Sequence, residues 1–561
     1  MRSLPLLLLF LTLWPFTGQE LAAQTAPATY WIQFTDKDDT PYSLTAPEAF
    51  LSTRAIERRQ LQGIPIDSLD LPVNPAYISD LLASGEIQLV NRHKWFNAVT
   101  IRSTDTLALD TLHMLPFVAE VRLLHDGHER PLRAINKFPE EKHYVEVGGH
   151  FQGRYGASLR QVALLNAHLL HEAGAEGQGL LIGVMDSGFE NVDLSPAFKE
   201  LRDRGGIVLT RDLAYPDGDV YRDHWHGRSV LSCIAGHIPG ALLGTAPAVN
   251  VALFRTEVND SEYIWEEDNW VAAAELADSL GCDILNTSLG YTTFDDSTQD
   301  HRFEDMNGRT ARISIAAGIA ARKGMIPVTS AGNAGTSEWY HISAPADAED
   351  ILAVGAVNVD RLVADFSSRG PSADGRVKPD VCAVGWSTVG LSPWGEEAIR
   401  INGTSFSSPL LAGGVACLWQ LHRDRTAHEV MDAVRRSASH HDRPDPAFGH
   451  GIPDLWRAHL MLGGTDLTGL TTASFLGLWP TTVTDHFTVE LYTGDATQLE
   501  MDMVDAAGRV VWQASRPVND RSYLQFRVQD GALLGLKAGV YLLRATLGSE
   551  QYVQRLVKVR P

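Results

Sequence analysis

The sequence of 561 residues contains few cysteines. Cys233, Cys282, Cys382 and Cys417 lie far apart, without a C-x-x-C pair and without a histidine at the spacing of a zinc site. An even number permits two disulfides in an exported protein, but each cysteine stands in an apolar run where alanine or valine would serve equally well. We therefore expect four buried free thiols.

Positive charge is also scarce. The 47 lysines and arginines face 69 aspartates and glutamates, which gives a formal net charge of −22. A nucleic-acid groove needs a basic stripe that releases counterions from phosphates, so this balance argues against a nucleic-acid partner. With 44% hydrophobic and 21% charged residues, the composition is that of a folded globular chain. The length alone predicts about two to four domains.

Long apolar runs are missing after the first residues, and no later segment reaches the length of a membrane span. The exception is "MRSLPLLLLFLTLWPF", in which Arg2 precedes the apolar run, while the small residues Ala22 and Ala23 follow it. This pattern is typical of a secretory signal peptide. We expect it to occupy residues 1–23, to be cleaved after Ala23, and to direct the chain out of the cytoplasm.

Residues 24–150 are predicted to form a small α+β unit followed by a linker. The segments "TYWIQFTDK" and "HKWFNAVTIRST" have the pattern of strands, and "APEAFLSTRAIERRQ" has that of an amphipathic helix. "ALDTLHMLPFVAEVRL" is typical of a helix that runs into a strand. The polar stretch from His125 to Gly156 lacks a clear period, which indicates a linker open to proteolysis.

Residues 151–465 have a different pattern, with continuous apolar runs such as "GLLIGVMD", "VNVALFRT" and "DILAVGAVNV". Helical segments such as "NWVAAAELADSLG" separate several of these runs. Strands without polar alternation are buried on both faces, as in a parallel sheet that helices cover. We predict an α/β fold with a doubly wound, mostly parallel sheet, helices on both faces, and its chemistry at the carboxyl ends of the strands.

Residues 470–561 change to a period of two, as in "DHFTVELYT" and "GVYLLRATLGSEQYVQRLVKV". Gly508 and Gly548 mark turns between such segments. Alternating strands joined by turns predict a small β-sandwich with its own core.

Four polar residues of the α/β domain stand at predicted strand ends or helix starts. Asp186 ends an apolar strand, where a buried carboxylate can be aimed at a neighbour. His226 precedes an apolar helical run, and Asn333, bracketed by small residues, exposes an amide suited to an oxyanion. Ser405 lies near the positive end of a helix dipole. Taken alone, each is also an ordinary turn or capping residue.

Taken together, in the order Asp, His, Asn, Ser, these segments resemble the subtilisin-like serine proteases. "MDSGF", "HGRSV" and "NGTSFSSP" are similar to the family's Asp, His and Ser motifs. "SLG" at 288–290 resembles its substrate-backbone strand, and "AGN" at 331–333 resembles its oxyanion segment. The resemblance covers residues 155–463.

The resemblance implies roles for individual residues. Ser405 would attack the scissile carbonyl, His226 would take its proton, and Asp186 would hold the imidazole. The side chain of Asn333, together with the backbone N–H of Ser405, would receive the oxyanion. The substrate backbone would pair as an added strand with three residues, namely Ser288, Leu289 and Gly290.

Two positions depart from the family pattern. Arg228 stands where the family usually has threonine, and Tyr291 stands where a second glycine is common. Neither removes a group that the mechanism needs, so they put specificity in doubt more than activity.

The resemblance also gives the flanking units a meaning. Residues 24–150 resemble the family's inhibitory prosegment, although a permanent accessory domain is the alternative. The tail resembles the C-terminal sorting domain of type IX secretion cargo through "WPTTVTDHFTVEL", "VDAAGRVV" and "LKAGVYLLRA". That likeness predicts a partner in the secretion machinery and a secreted or cell-surface protein exported through the periplasm. Otherwise the tail is a plain β-sandwich.

The expected function is that of a secreted serine endopeptidase, made as a zymogen, which cleaves protein or peptide substrates through an acyl-enzyme. No cofactor is required and no metal ligands are predicted, although the family leaves room for structural calcium. A pseudoprotease that only binds peptides is one alternative. A serine esterase or lipase is another, which the missing G-x-S-x-G elbow disfavours, because Phe406 and Ser407 follow Ser405.

Overall fold

The computed structural model describes residues 27–128, 137, 145–146, 153–215, 217–464, 474–493, 496–518, 523–529 and 531–559. The expected signal peptide, residues 1–23, and most of the expected linker lie outside these ranges. Within them, no helix combines the length and the apolar character that crossing a membrane requires.

The N-terminal unit is a four-stranded antiparallel sheet with helices packed on one face. Its strands follow the spatial order β2-β3-β1-β4. Ile32, Val99 and Ile101 from the sheet share a core with Ile78 and Leu81 from the second helix. The elements are β1 (Ala28–Phe34), α1 (Thr53–Gln62), α2 (Pro75–Ala83), β2 (Ile87–His93), β3 (Ala98–Ser103), α3 (Thr106–Thr111) and β4 (Val118–His125).

The amphipathic helix predicted from Ala46 onward begins later than expected, at Thr53. Residues Pro47–Ala49 form a separate 3-10 turn, and Ser52 then caps α1 by accepting a hydrogen bond from the Ala55 N–H. Phe50 (φ = −143°) and Ser52 (ψ = 159°) leave the helical conformation, so the 3-10 turn does not continue into α1.

A seven-stranded sheet forms the centre of the α/β domain. Every pairing in it is parallel, and the strand order is β14-β13-β12-β11-β6-β10-β7. Its strands are β6 (Leu181–Asp186), β7 (Ile207–Asp212), β10 (Asn250–Arg255), β11 (Ile284–Thr287), β12 (Ile326–Ser330), β13 (Leu352–Val357) and β14 (Val381–Val384). The predicted parallel α/β fold is therefore confirmed.

Helices cover this sheet on two faces. The five longest helices of this domain are α7 (His226–Ala235), α8 (Trp265–Leu280), α9 (Arg312–Arg322), α10 (Thr404–Gln420) and α11 (Ala427–Ser437). One core joins α7 and α10 to the sheet, and a second joins α8 and α9 to it. The shorter helices are α4 (Leu159–Leu164), α5 (Ala167–Glu172), α6 (Lys199–Asp203) and α12 (Leu455–Met461).

Small antiparallel ladders lie beside the main sheet. One joins β8 (His237–Ile238) to β9 (Leu242–Leu243), and another joins β15 (Thr388–Leu391) to β16 (Ala398–Ile401). The two-residue strand β5 (Val145–Glu146) adds to the free edge of β16. Further short 3-10 turns occupy Leu112–Met114, Pro196–Phe198, Ser297–Gln299 and Phe303–Asp305.

The C-terminal region contains two sheets that share one core. A three-stranded sheet has the order β17-β19-β22, and a five-stranded sheet has the order β18-β24-β23-β20-β21. Val489 from the first packs with Leu499 and Leu543 from the second. The elements are β17 (Ser474–Trp479), β18 (Thr482–Val483), β19 (Phe487–Tyr492), β20 (Gln498–Val504), β21 (Val510–Pro517), β22 (Tyr523–Val528), α13 (Gly531–Leu534), β23 (Gly539–Leu547) and β24 (Glu550–Lys558).

Candidate active site

Asp186 and His226 form a buried pair at the carboxyl end of β6. Asp186 is the last residue of that strand, and His226 is the first residue of α7. The His226 Nδ1 lies 2.7 Å from the Asp186 Oδ1, and the carboxylate also accepts the Ser187 N–H at 2.8 Å. The side chains are 5% and 0% exposed, so water screens this bond very little.

Gly227 allows α7 to approach the strand end this closely. A Cβ at position 227 would lie 2.3 Å from the Gly188 carbonyl oxygen and 2.9 Å from the Asp186 Cβ. Gly188 itself has φ = +151°, which favours glycine, and a Cβ there would lie 2.2 Å from the Asp223 carbonyl oxygen. The glycines of "MDSGF" and "HGRSV" therefore bring the carboxylate and the imidazole together.

Ser405 lies in the first turn of α10, which begins at Thr404 after Gly403. Gly403 has φ = +141°, a conformation that L side chains rarely adopt. The Ser405 Oγ donates to the Ser288 carbonyl oxygen at 3.2 Å, and the Ser288 Oγ donates to the Ser405 carbonyl oxygen at 2.9 Å. The candidate nucleophile is thus held against the predicted substrate-binding segment.

Pro409 lies inside α10, the helix that begins at Thr404. Ser407 and Ser408, which follow the candidate nucleophile, are both buried. The Ser407 Oγ donates to the Thr404 carbonyl oxygen at 2.9 Å, and the Ser408 Oγ donates to the Asn286 Oδ1 at 2.9 Å. Both hydroxyls therefore have partners within the protein core.

Asn333 follows β12 and faces the same cleft as Ser405. Its Oδ1 accepts two hydrogen bonds from Thr404, one from the backbone N–H and one from the Oγ1, each at 2.9 Å. Because the amide oxygen is committed to Thr404, the Nδ2 is the group left to donate to a ligand. This is the orientation that an oxyanion donor needs.

The cleft has a volume of about 390 Å³ and brings together most of the predicted site residues. Gly290 packs closely here, because a Cβ at that position would lie 2.2 Å from the Ser343 Oγ. Predicted residues that line the cleft are Ser288, Leu289, Gly290, Asn333 and Ser405. His226 contacts this group through Phe406, whose ring centroid lies 5.7 Å from that of the imidazole.

The two departures from the family pattern have separate roles. Arg228 is buried and fixes the loop after β15 by donating to the Gly395 carbonyl oxygen at 2.8 Å and to Glu396 at 2.7 Å. Tyr291 is buried beside the cleft, and its hydroxyl donates to the Glu257 Oε1 at 2.6 Å. Arg228 therefore holds the loop after β15 in place, whereas Tyr291 packs next to the predicted substrate segment.

The sequence did not identify the charged residues that line the cleft beside the predicted substrate segment, residues 288–290. Lys137 and Glu262 both line it, and the ammonium group of Lys137 contacts three glutamates. The available signal was the acidic run "EYIWEED" at the start of α8, together with a lysine in the expected linker.

His224 stands two positions before His226, next to the buried pair. The His224 Nδ1 lies 2.7 Å from the Ser187 Oγ, and burial lowers the pKa of His224 to about 4. Across the ranges that the structure describes, no three His, Cys, Asp or Glu side chains are grouped so as to hold a metal ion. All four cysteines are free and buried, which confirms the expected thiols.

The N-terminal unit docks on α8 through buried charges. Asp278 of α8 accepts hydrogen bonds from Arg58 at 2.5 Å, from Arg59 at 2.8 Å and from Lys94 at 2.8 Å. Burial alone would raise the pKa of Asp278, but these three cations hold it well below its usual range. In the same helix, the Glu275 carboxylate accepts two backbone N–H groups of the N-terminal unit.

Comparisons with known proteins agree with this arrangement. The family model for the subtilase family matches residues 177–451, and that for the peptidase S8 propeptide domain of Bacteroidota matches residues 29–137. Subtilisin E of Bacillus subtilis (strain 168) is 28% identical over 320 residues, which cover 56% of this chain and 74% of that protein.

Two further relatives extend the comparison. Subtilisin of Bacillus pumilus is 29% identical over 286 residues, which cover 50% of this chain and 90% of that protein. Membrane-bound transcription factor site-1 protease of Cricetulus griseus is 28% identical over 375 residues, or 63% of this chain and 32% of that protein. The chain therefore contains a peptidase S8 propeptide domain followed along the sequence by a subtilase family domain. It is a serine endopeptidase.

Proposed function

We propose that this endopeptidase hydrolyses peptide bonds through Asp186, His226 and Ser405 and that it is made as an exported zymogen. The observation that carries the proposal is the buried 2.7 Å contact between Asp186 and His226, in the domain where Ser405 and Asn333 share one cleft. A carboxylate bound to Nδ1 leaves Nε2 as the basic nitrogen of a neutral imidazole, as general-base catalysis requires.

The proposed reaction begins when the Ser405 hydroxyl leaves the Ser288 carbonyl oxygen and gives its proton to His226. The Oγ attacks the scissile carbonyl, and Asn333 Nδ2 with the Ser405 backbone N–H receives the oxyanion. His226 then returns the proton to the leaving amine, which leaves an acyl-enzyme. Water hydrolyses this ester by the same steps. All of these groups belong to the chain itself.

The segment from Ser288 to Gly290 is proposed to bind the substrate backbone as an added strand. Its side chains line the cleft, and Ser288 contacts Ser405 directly. A peptide paired here would place its carbonyl near both Ser405 and Asn333.

A fluorescent phosphonate that reacts with activated serines tests the nucleophile. We expect the wild type to be labelled after prosegment removal and the Ser405→Ala variant to remain unlabelled. The matched control is Ser407→Ala, which removes a buried hydroxyl two positions away and should leave labelling intact. An unlabelled wild type would favour a pseudoprotease. Turnover of lipid esters without turnover of casein would favour the esterase alternative.

Export and sorting are a second part of the proposal. The likeness of residues 1–23 to a signal peptide supports export through the periplasm, and the strand motifs of residues 470–561 support a sorting domain for type IX secretion. N-terminal and C-terminal sequencing of the protein recovered outside the cells tests both. The proposal expects the mature form to begin after the propeptide domain and to lack the tail. A full-length tail on the secreted protein would contradict it.

A further inference from the structure

Three glutamates of the catalytic domain surround one lysine of the propeptide region. The Lys137 Nζ lies 2.9 Å from the Glu257 Oε2, 3.0 Å from the Glu262 Oε2 and 2.5 Å from the Glu266 Oε2. The glutamate side chains are 0%, 6% and 0% exposed, and that of Lys137 is 11% exposed. We call these three glutamates, with Tyr291, the acidic pocket.

The acidic pocket is held in place by the catalytic domain itself. The Glu266 carboxylate accepts the backbone N–H groups of Val258 at 2.8 Å and Tyr263 at 2.9 Å. Glu257 accepts the hydroxyl groups of Thr256 at 2.7 Å and Tyr291 at 2.6 Å. These bonds do not involve the propeptide region, so they preorganise the carboxylates of Glu257 and Glu266 for whichever cation enters the pocket.

The charges of the acidic pocket call for a cation. Burial raises the pKa of Glu266 to about 7 although Lys137 acts to lower it, and burial raises the pKa of Glu262 well above its usual value. Burial alone would lower the pKa of Lys137, but the three glutamates raise it well above its usual value. Neighbouring carboxylates without a partner are costly in a buried site.

The geometry of the acidic pocket suits the ammonium group of a long side chain. The Lys137 Nζ also lies 5.9 Å from the Tyr291 ring centroid, a cation–π distance that suits an organic cation. In the described part of the chain, these glutamates are not among any group arranged to hold a metal ion.

The acidic pocket reaches the cleft that contains Ser405 through one of its members, Glu262. Lys137 and Glu262 line this cleft together with Leu289 and Gly290. Lys137 is also the last residue that the propeptide family model matches. Removal of the propeptide would take Lys137 away and leave the three carboxylates facing a cleft that is open to substrate.

We propose, on the basis of the proposed function, that the acidic pocket is a specificity subsite for a basic side chain of the substrate. Lys137 is its occupant in the zymogen. Because the propeptide precedes the catalytic domain, the cut that releases it leaves Lys137 on the amino-terminal side of the cleaved bond. The subsite therefore selects lysine or arginine on the amino-terminal side of the scissile bond.

Fluorogenic peptides test this subsite in the matured enzyme. One lysine is moved through successive positions before the scissile bond of a neutral peptide, and each peptide is paired with one that carries norleucine there. We expect one position at which lysine raises kcat/KM by roughly 10- to 100-fold over norleucine. In the Glu262→Gln and Glu266→Gln variants, this ratio should fall toward one, because the lysine side chain loses an anionic partner.

The matched control is Glu349→Gln, which removes a carboxylate from an exposed ion pair with Arg309 and should keep the lysine preference. Equal cleavage of lysine and norleucine peptides at every position by wild type would overturn the subsite and leave the protease intact. The comparison of lysine and norleucine peptides with the wild type tests the subsite even if the glutamine variants fail to fold. Absence of cleavage and of phosphonate labelling would instead overturn the proposed function.

Discussion

Ser288 and Ser405 are joined by two reciprocal hydrogen bonds, in which each hydroxyl donates to the backbone carbonyl of the other residue. The Ser405 carbonyl is available because the residue four positions later is Pro409, which has no N–H to close the helical bond. The proline inside α10 thus creates an acceptor, and Ser288 satisfies it. The substrate segment and the nucleophile are fixed to each other by this pair.

Replacing Ser288 by alanine should therefore impair catalysis. The Ser405 carbonyl would lose its side-chain donor in a buried site, and the register between the nucleophile and the substrate segment would loosen. We expect kcat/KM for a peptide substrate to fall about tenfold. The control is Ser407→Ala, which removes a buried hydroxyl bonded within α10. An equal loss in both variants would show general damage to the helix.

Asn333→Ala tests the oxyanion donor. Removing one such donor costs enzymes of this type about 10²–10³ in kcat, because the interaction is made in the transition state. KM should change much less. Asn358→Ala is a suitable control, since that side chain accepts the N–H groups of Asp360 and Leu362 in a turn. A tenfold rise in KM with unchanged kcat would contradict the assigned role.

Asp380 links stability to acid pH. Burial would raise its pKa, but Lys378 and Arg435, each 2.8 Å away, hold the pKa at about 2, below the usual 3.8. A carboxylate whose pKa is lower in the folded than in the unfolded chain stabilises the fold at pH values above its usual pKa. This contribution is lost as the pH falls from about 4 to 2. Asp380→Asn should cost about 2 kcal/mol at neutral pH.

Urea unfolding of the Ser405→Ala chain at several pH values measures this effect without self-digestion. The Asp380→Asn variant should lose less stability than its parent between about pH 4 and 2. Asp360→Asn removes an exposed partner of Arg160 and serves as the control, with little change expected at any pH. An equal loss of unfolding free energy with falling pH in the parent and the Asp380→Asn chains would refute the linkage.

The four cysteines should resist alkylation in the folded protein. Burial raises the pKa of Cys233 and Cys382 to about 12, and it also raises that of Cys282 and Cys417. Because the thiolate is the reacting form, iodoacetamide should modify none of them at neutral pH. Mass spectrometry should find four modified thiols after denaturation without a reductant. Fewer would indicate a disulfide.

The sequence predicted the parallel sheet and placed Asp186 and His226 at the ends of elements that converge. Those predictions succeeded because continuous apolar runs and strand-end residues are local signals. The acidic pocket could not be predicted, since Lys137 and Glu266 are 129 positions apart and Lys137 falls in a stretch without periodicity. The paired hydrogen bonds of Ser288 and Ser405 likewise join residues 117 positions apart, which no local pattern reveals.

The cluster around Asp278 joins two parts of the chain that the proposed maturation would separate. Arg58, Arg59 and Lys94 belong to the region that matches a propeptide, while Asp278 remains with the catalytic domain. A change at any one of these four positions alters the fit of the other three. In related chains these four residues should therefore co-vary as a set. Selection on a segment that maturation removes would then constrain Asp278, a residue of the mature enzyme.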